Sequence, residues 1–453
     1  MTQLYSAKWV LPVSTAPIAD GAIAVEGEYI VGVGIRETLV SQFPEAPVKD
    51  FGEAAIIPGL INCHTHLELT VMRGFLESEE GDFFAWLRKL TIARLERMSA
   101  DDLRVSATWG AVEAARAGIT CVADASDAAG ESMKALHDVG LRGIVYQESF
   151  GPDPKLAREN VDRLHEKVTQ LRTLETERIR VGVSPHSPYT VSGSQLELIS
   201  DFALKEKLPL MMHAAESAAE MSLLKNGTGP FAENLAQRGI EWHAPGISPI
   251  QYLREHGILE TKPLLAHCIR VDDGDFEILR QSDARVAHCP KSNAKLGHGR
   301  APFGSFIKHG VKVGIGSDSV ASNNTCDILE EARFAALISR ADGSENDSQR
   351  ISAQDILYAA TLGGARALGI EGAVGALEAG FQADIAVVGL DGTHQQPVHD
   401  PATAIIFASS GRDVRMTMVA GEEVYSDGRV TRVDEEMLRT NVSVISSVLK
   451  NEK

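Results

Sequence analysis

Apolar positions along this chain follow two rhythms. From about residue 59 to 370, short apolar runs alternate with stretches whose apolar residues recur every three or four positions. The first pattern is that of buried strands, the second that of amphipathic helices. One run passes through Ile56-Ile-Pro-Gly-Leu60 and ends in Asn62-Cys-His-Thr-His66. Seven more lie at 119–123, 143–147, 179–183, 209–212, 263–266, 284–287 and 311–315. Helical patterns fall between most of them, among others at 100–117, 154–175, 194–206 and 325–339. Eight such alternations predict an α/β fold with a (β/α)8 TIM-like barrel over 59–370, rather than a doubly wound sheet.

The ends of the chain have a different texture. Gly21-Ala-Ile-Ala-Val-Glu-Gly27, Tyr29-Ile-Val-Gly-Val-Gly34, Ala383-Asp-Ile-Ala-Val-Val388, Ala404-Ile-Ile-Phe407 and Met416-Thr-Met-Val-Ala-Gly-Glu-Glu-Val-Tyr425 read as strands around turns. They predict one small composite β-sandwich domain from residues 1–58 and 371–453, with two unrelated β appendages as the alternative.

In a barrel, side chains at the C-terminal ends of strands share one face. The first strand ends in His64 and His66, the fifth in His213, the sixth in His267 and the eighth in Asp318. Singly, each has an ordinary reading: a hydrogen-bonded core histidine, or an aspartate capping a helix. Together they read as ligands converging on a transition metal, zinc or ferrous iron. Glu216, three residues past His213, joins them. His288 also ends a strand run and reads as a supporting or substrate-facing group.

Charge and cysteines narrow the class. A formal net charge of −18 argues against nucleic acid as a partner. Five scattered cysteines with no CxxC pair suggest reduced thiols. No apolar run is long enough to span a bilayer, and the first residues lack a signal-peptide layout. A cytoplasmic enzyme acting on a small molecule, away from membranes, is the expectation; oligomeric state stays open, a homo-oligomer included.

The Pro58-Gly-Leu-Ile-Asn-Cys-His-Thr-His66 opening, the strand-end histidines, Gly316-Ser-Asp-Ser319 and the 375–388 return into β structure resemble the amidohydrolase superfamily along nearly the whole chain. The resemblance implies a hydrolase. Binuclear members carry a bridging lysine that this chain lacks at its third and fourth strand ends, although Glu148 stands at the third. One divalent metal is therefore expected, zinc first and ferrous iron second, held by His64, His66, His213 and Asp318. In the superfamily's aminohydrolases the residue matching Glu216 shuttles protons, Asp318 would accept the proton of the attacking water and His267 would orient that water. Ammonia leaves.

The loops 183–192, 289–293 and 319–324 resemble those of deaminases of adenosine-type compounds. His66-Leu-Glu68 with Gly246-Ile-Ser-Pro-Ile-Gln-Tyr-Leu253 resembles aminodeoxyfutalosine deaminases of a menaquinone route, which is the first substrate expectation. Deamination of S-adenosylhomocysteine or methylthioadenosine, triazine hydrolysis, amide-ring hydrolysis and a non-catalytic metal-binding scaffold are the rivals. Glu68 falls on the same side of the opening strand as His64 and His66, where it would accept from a ribose diol or pair with a lysine or arginine near the barrel mouth. Trp86 would stack on an aromatic group or sit in a core, and His186 would donate to the sugar or to a carboxylate. Ser292 and Asn293 complete the expected substrate contacts. Arg73 faces either a substrate carboxylate or solvent.

Overall fold

The computed structural model describes residues 1–341 and 350–450. Its middle carries eight parallel strands in two four-stranded sheets. Leu60–Thr65, Ile119–Ser126, Arg142–Ser149 and Ile179–Pro185 make the first. Met211–Ala214, Leu264–His267, Arg285–His288 and Val313–Ile315 make the second. The sheets meet at both edges. Val183 bridges to Leu210, the His213 amide donates to the His186 carbonyl at 3.0 Å, and the Asp318 amide donates to the His64 carbonyl at 2.8 Å. Strands 119–126 and 142–149 are buried at every position, which is why they read as continuous apolar runs and not as alternating ones.

The helices follow their caps. Ala100–Arg116 begins at a reciprocal capping box between Ser99 and Asp102 and buries Leu103, Ala107 and Ala111. Gly193–Glu206 and Ile328–Ala341 match their periodic stretches within a few residues. The 154–175 stretch is helical over Ala157–Leu171, with a 3-10 turn at each end.

Both chain ends enter one mixed sheet of nine strands. Thr2–Val10 pairs with Ile18–Glu26 on one edge; on the other it pairs first with Val48–Asp50 and then with Ala54–Pro58, which leads to Ile385–Gly389 and Val414–Val419. A nine-residue strand is long enough to hold two successive partners on one edge. The sheet therefore forks and stays continuous, where a sandwich would have two separate sheets. Alternation along strand 54–58 is plain: Ala54 and Ile56 pack with Ile385 and Val387, while Ala55 and Ile57 join the large core beneath the eight strands.

Two segments differ from the sequence pattern. The 404–407 stretch, read as a strand, lies in a helical turn, Ala404–Ala408, that continues Pro401–Thr403. Asp400 caps that start through the Thr403 amide, with Pro401 at the first helical position, and this outweighs the β-branched Ile405 and Ile406. The C-terminal helix, Glu435–Lys450, lay outside the strand pattern altogether, and it packs Ile445 and Leu449 with Leu69, Val71 and Met72 beside the first strand end. Among the described residues no helix is long and apolar enough to cross a membrane.

Candidate active site

Residues at or just past the C-terminal ends of the strands, among them His66, Glu148, His186, His213, His267 and Asp318, line a cavity of about 750 Å³. The backbone there leaves ordinary geometry: Ala215, His267 and Asp318 have φ of 52°, 73° and 57°. Such values are disfavoured for residues with a side chain and cluster where packing over-determines them. Here they turn His213, His267 and Asp318 toward His64 and His66.

Hydrogen bonding on the outer edge of each ring decides what the inner edge offers. His213 Nδ1 lies 2.9 Å from the His186 carbonyl, which can only accept, so His213 carries its proton on Nδ1 and presents a bare Nε2. His64 Nδ1 contacts Met211 Sδ at 3.3 Å, and its buried Nε2 has no hydrogen-bond partner. That nitrogen is 3.3 Å from Asp318 Oδ1; His66 Nε2 is 3.3 Å from His213 Nε2 and 3.7 Å from Asp318 Oδ1. Three imidazoles and a carboxylate thus face one point, and the His64 nitrogen has no partner there. A buried orphan nitrogen is costly unless a further group meets it, and this donor set suits a divalent transition metal. Burial depresses all three histidines as acids, His213 to about 4 with help from His66 and His267, so they are neutral near pH 7. Burial opposes ionisation of Asp318, yet the imidazoles around it hold its carboxyl well below the usual range.

His267 is set differently. Asn293 Oδ1 accepts from its Nδ1 at 2.8 Å, and its Nε2 lies 3.6 Å from Glu216 Oε1. Burial lowers its pKa, but the charges of Glu216 and Asp318 outweigh that and raise it. Glu216 lines the cavity, accepts from the Tyr189 hydroxyl at 3.0 Å, and has His298 Nε2 3.7 Å away. Glu220 fixes the turn that carries Glu216 by accepting from the amides of Ala215 and Glu216 at 2.9 and 2.8 Å.

The expected substrate contacts divide. His186 and Trp86 line the cavity, His186 with its Nδ1 tied to Thr190 at 2.9 Å and Trp86 stacked on Phe83. Ser292 and Asn293 do not. Ser292 donates to Asp318 Oδ2 at 2.5 Å, and Asn293 holds His267, so both act on the site from behind. Glu68 borders the cavity but is already satisfied: Arg94 donates to one oxygen at 3.1 Å, and Ser126 with the Ala128 amide occupy the other. The strand stops at Thr65 and a 3-10 turn, Leu67–Met72, follows, so the two-residue alternation carrying 64 and 66 does not extend to 68. His288 packs on Phe303 away from the cavity, and Arg73 pairs with Glu113.

Arg94, Tyr189, His298 and Ser322 are functional neighbours that the sequence reading passed over. Ser322 gives Asp318 Oδ2 a second donor at 3.0 Å. Tyr189 and Ser322 stand inside the quoted 183–192 and 319–324 loops; Arg94 and His298 carry no local signal.

Comparison with known proteins agrees with this geometry. The model of the amidohydrolase family matches residues 55–424. A 5-methylthioadenosine/S-adenosylhomocysteine deaminase of Nitratidesulfovibrio vulgaris is 32% identical over 431 residues, 94% of this chain and 91% of the relative. One from Pyrococcus abyssi is 31% identical over 415 residues, 91% of each chain. Among solved structures, an adenosine deaminase from Xanthomonas campestris with bound zinc superposes with a TM-score of 0.86 at 27% identity, covering 99% of this chain and 98% of that one. An atrazine chlorohydrolase from Arthrobacter aurescens complexed with zinc has a TM-score of 0.84, 24% identity and coverage of 98% and 99%, a likeness of fold. With the family model, sequence relatives and fold in agreement, the chain belongs to the amidohydrolase family and is a hydrolytic enzyme acting on carbon–nitrogen bonds.

Proposed function

We propose that this enzyme deaminates the adenine ring of a nucleoside by hydrolysis and releases ammonia. The eight strands are taken as one closed (β/α)8 barrel over 59–370, with residues 1–58 and 371–453 as a composite β domain. The hydrogen bonds at both edges of the two parallel sheets support that reading. One divalent metal, zinc first and ferrous iron second, would be held by His64, His66, His213 and Asp318. When bound it supplies the Lewis acidity that makes water a nucleophile near neutral pH.

The observation that carries the reaction type is Glu216. Its carboxyl sits inside the cavity, one oxygen taking the Tyr189 hydroxyl and the other facing His267. From there it reaches the ring nitrogen next to the carbon under attack and delivers a proton to it, which lets that carbon become tetrahedral. Asp318 takes the proton released by the attacking water. His267, whose pKa the charges of Glu216 and Asp318 raise against the effect of burial, steadies the water oxygen as charge builds. Collapse breaks the carbon–nitrogen bond to the exocyclic amine, which leaves as ammonia once protonated, and the ring keeps the oxygen as a carbonyl.

Two substrates fit the rest of the cavity. The relatives' names support 5-methylthioadenosine or S-adenosylhomocysteine. Aminodeoxyfutalosine is supported by aromatic side chains around the outer cavity, Phe84, Phe150 and Phe231 among them, and by Arg88 and Arg238 at its rim, which suit an aryl carboxylate. Rates for the three compounds on one preparation separate the readings. For the reaction itself, Glu216→Gln is expected to cut kcat by about 10²- to 10⁴-fold with metal content unchanged; turnover at the wild-type level would overturn the assignment.

A further inference from the structure

Glu148 is the one acid in the cavity wall whose geometry is left incomplete. It ends the strand Arg142–Ser149, level with the ligand histidines, and lines the cavity. Its side chain is buried, and Oε1 has no hydrogen-bond partner. The basic group beside it, Arg94, is engaged by Glu68 at 3.1 Å and Asp127 at 2.8 Å, and Asp127 also holds Lys167 at 3.1 Å. A ligand oxygen of Glu148 and ring nitrogens of His186 and His213 lie within 4.8 Å of one another. His186 has its Nδ1 occupied by Ser187 and Thr190, so its Nε2 remains for a ligand.

The geometry points to Glu148 and His186 as the pair that reads the ribose diol of the substrate. This rests on the nucleoside reading given above. With the purine held over His213 and Glu216, the sugar is the next part of the substrate along the cavity, beside those two side chains. A vicinal diol supplies what they lack: a hydroxyl donor for Oε1 and a second hydroxyl for the His186 nitrogen. Glu68, whose oxygens are both engaged, leaves that place to Glu148. A substrate without the hydroxyls would strand a buried carboxyl, and sites of that kind discriminate strongly against the deoxy analogue.

The test compares kcat/KM for adenosine and 2′,3′-dideoxyadenosine in the wild type, Glu148→Ala and Glu148→Gln. The wild type is expected to prefer the ribonucleoside by about 100-fold or more. Glu148→Ala should compress that ratio to below about 10, and Glu148→Gln, which keeps an acceptor oxygen, should fall between them. Where turnover of a variant is too slow to assay, the dissociation constants of inosine and 2′,3′-dideoxyinosine give the same ratio. A ratio unchanged by Glu148→Ala, or absent in the wild type, overturns the inference while ammonia release keeps the deaminase reading intact. So would two metal ions per wild-type chain falling to one in Glu148→Ala, which would make Glu148 a ligand. A wild type that releases ammonia from no adenine nucleoside overturns the deaminase reading itself, and this inference with it.

Discussion

The floor and the wall of the cavity are both buried and both rich in ionisable groups, yet they are built on opposite terms. On the floor, His64, His66, His213 and Asp318 point inward at one another, and the buried His64 Nε2 has no hydrogen-bond partner. On the wall, Arg94 bridges Glu68 and Asp127, Lys167 adds to Asp127, and Ser126 and the Ala128 amide complete Glu68. Polar groups that satisfy one another serve the fold, while polar groups left unsatisfied at the end of an over-determined backbone wait for something from outside. By that criterion the floor binds and the wall braces, with Glu148 as an acid of the wall that is left incomplete.

The largest expected effect breaks the floor. His213→Ala removes a proposed ligand, so metal content measured by elemental analysis should fall from about one per chain to near zero, and ammonia release should fall to background. Full activity in this variant would make the floor no different from the wall. Breaking the wall should do the reverse. Arg94→Ala leaves Glu68 buried without its cation, a loss of about 3–5 kcal/mol for a pair of this kind, seen as a lowered Tm with metal content unchanged. Loss of metal without loss of stability would contradict the distinction.

Between floor and wall lies Asp124, buried and accepting from the Leu67 amide at 2.7 Å. Burial, with the charge of Glu68 adding to it, raises its carboxyl to about 8, well above the value near 3.9 of an unfolded chain. The folded state therefore holds a proton that the unfolded state has released between those values. Its contribution to stability is whole below about pH 4 and is lost as pH rises toward 8. Asp124→Asn should remove that dependence, so the wild type's Tm relative to the variant's should decline steadily from pH 5 to 8. A constant difference would show that Asp124 is ionised throughout.

The smallest effect concerns the support of the floor. Ser292→Ala takes one of two hydroxyl donors from Asp318 Oδ2, and metal affinity measured by competition with a chelator should weaken by about 10- to 100-fold. A lowered Tm of the metal-free protein with unchanged affinity would place Ser292 with the bracing groups.

The same contrast explains what the sequence discloses. Every floor residue stands at or just past a strand end, and strand ends are legible because apolar runs stop there. The eight strands, the helix of 100–116 and the residues that converge on the floor could therefore be read directly. The wall depends on where a helix docks. Arg94 lies on Phe83–Arg97, 26 residues from Glu68, and nothing local to either says that they meet. Glu68 was placed by extending the alternation of 64 and 66 past Thr65, where the strand has already given way to a 3-10 turn. His298 approaches Glu216 from a segment with no regular structure, beyond the reach of periodicity. Ala404–Ala408 shows the remaining failure, where an Asp-Pro helix start outweighed two isoleucines.

The central claim is that the floor exists to hold one catalytic metal. Stripping the wild-type enzyme with a chelator and titrating zinc back while following ammonia release from 5-methylthioadenosine, S-adenosylhomocysteine and aminodeoxyfutalosine tests it directly. Activity on the favoured nucleoside should be absent without metal, rise in proportion to zinc and saturate at one ion per chain; full activity in the stripped enzyme, or saturation only at two ions, would contradict it.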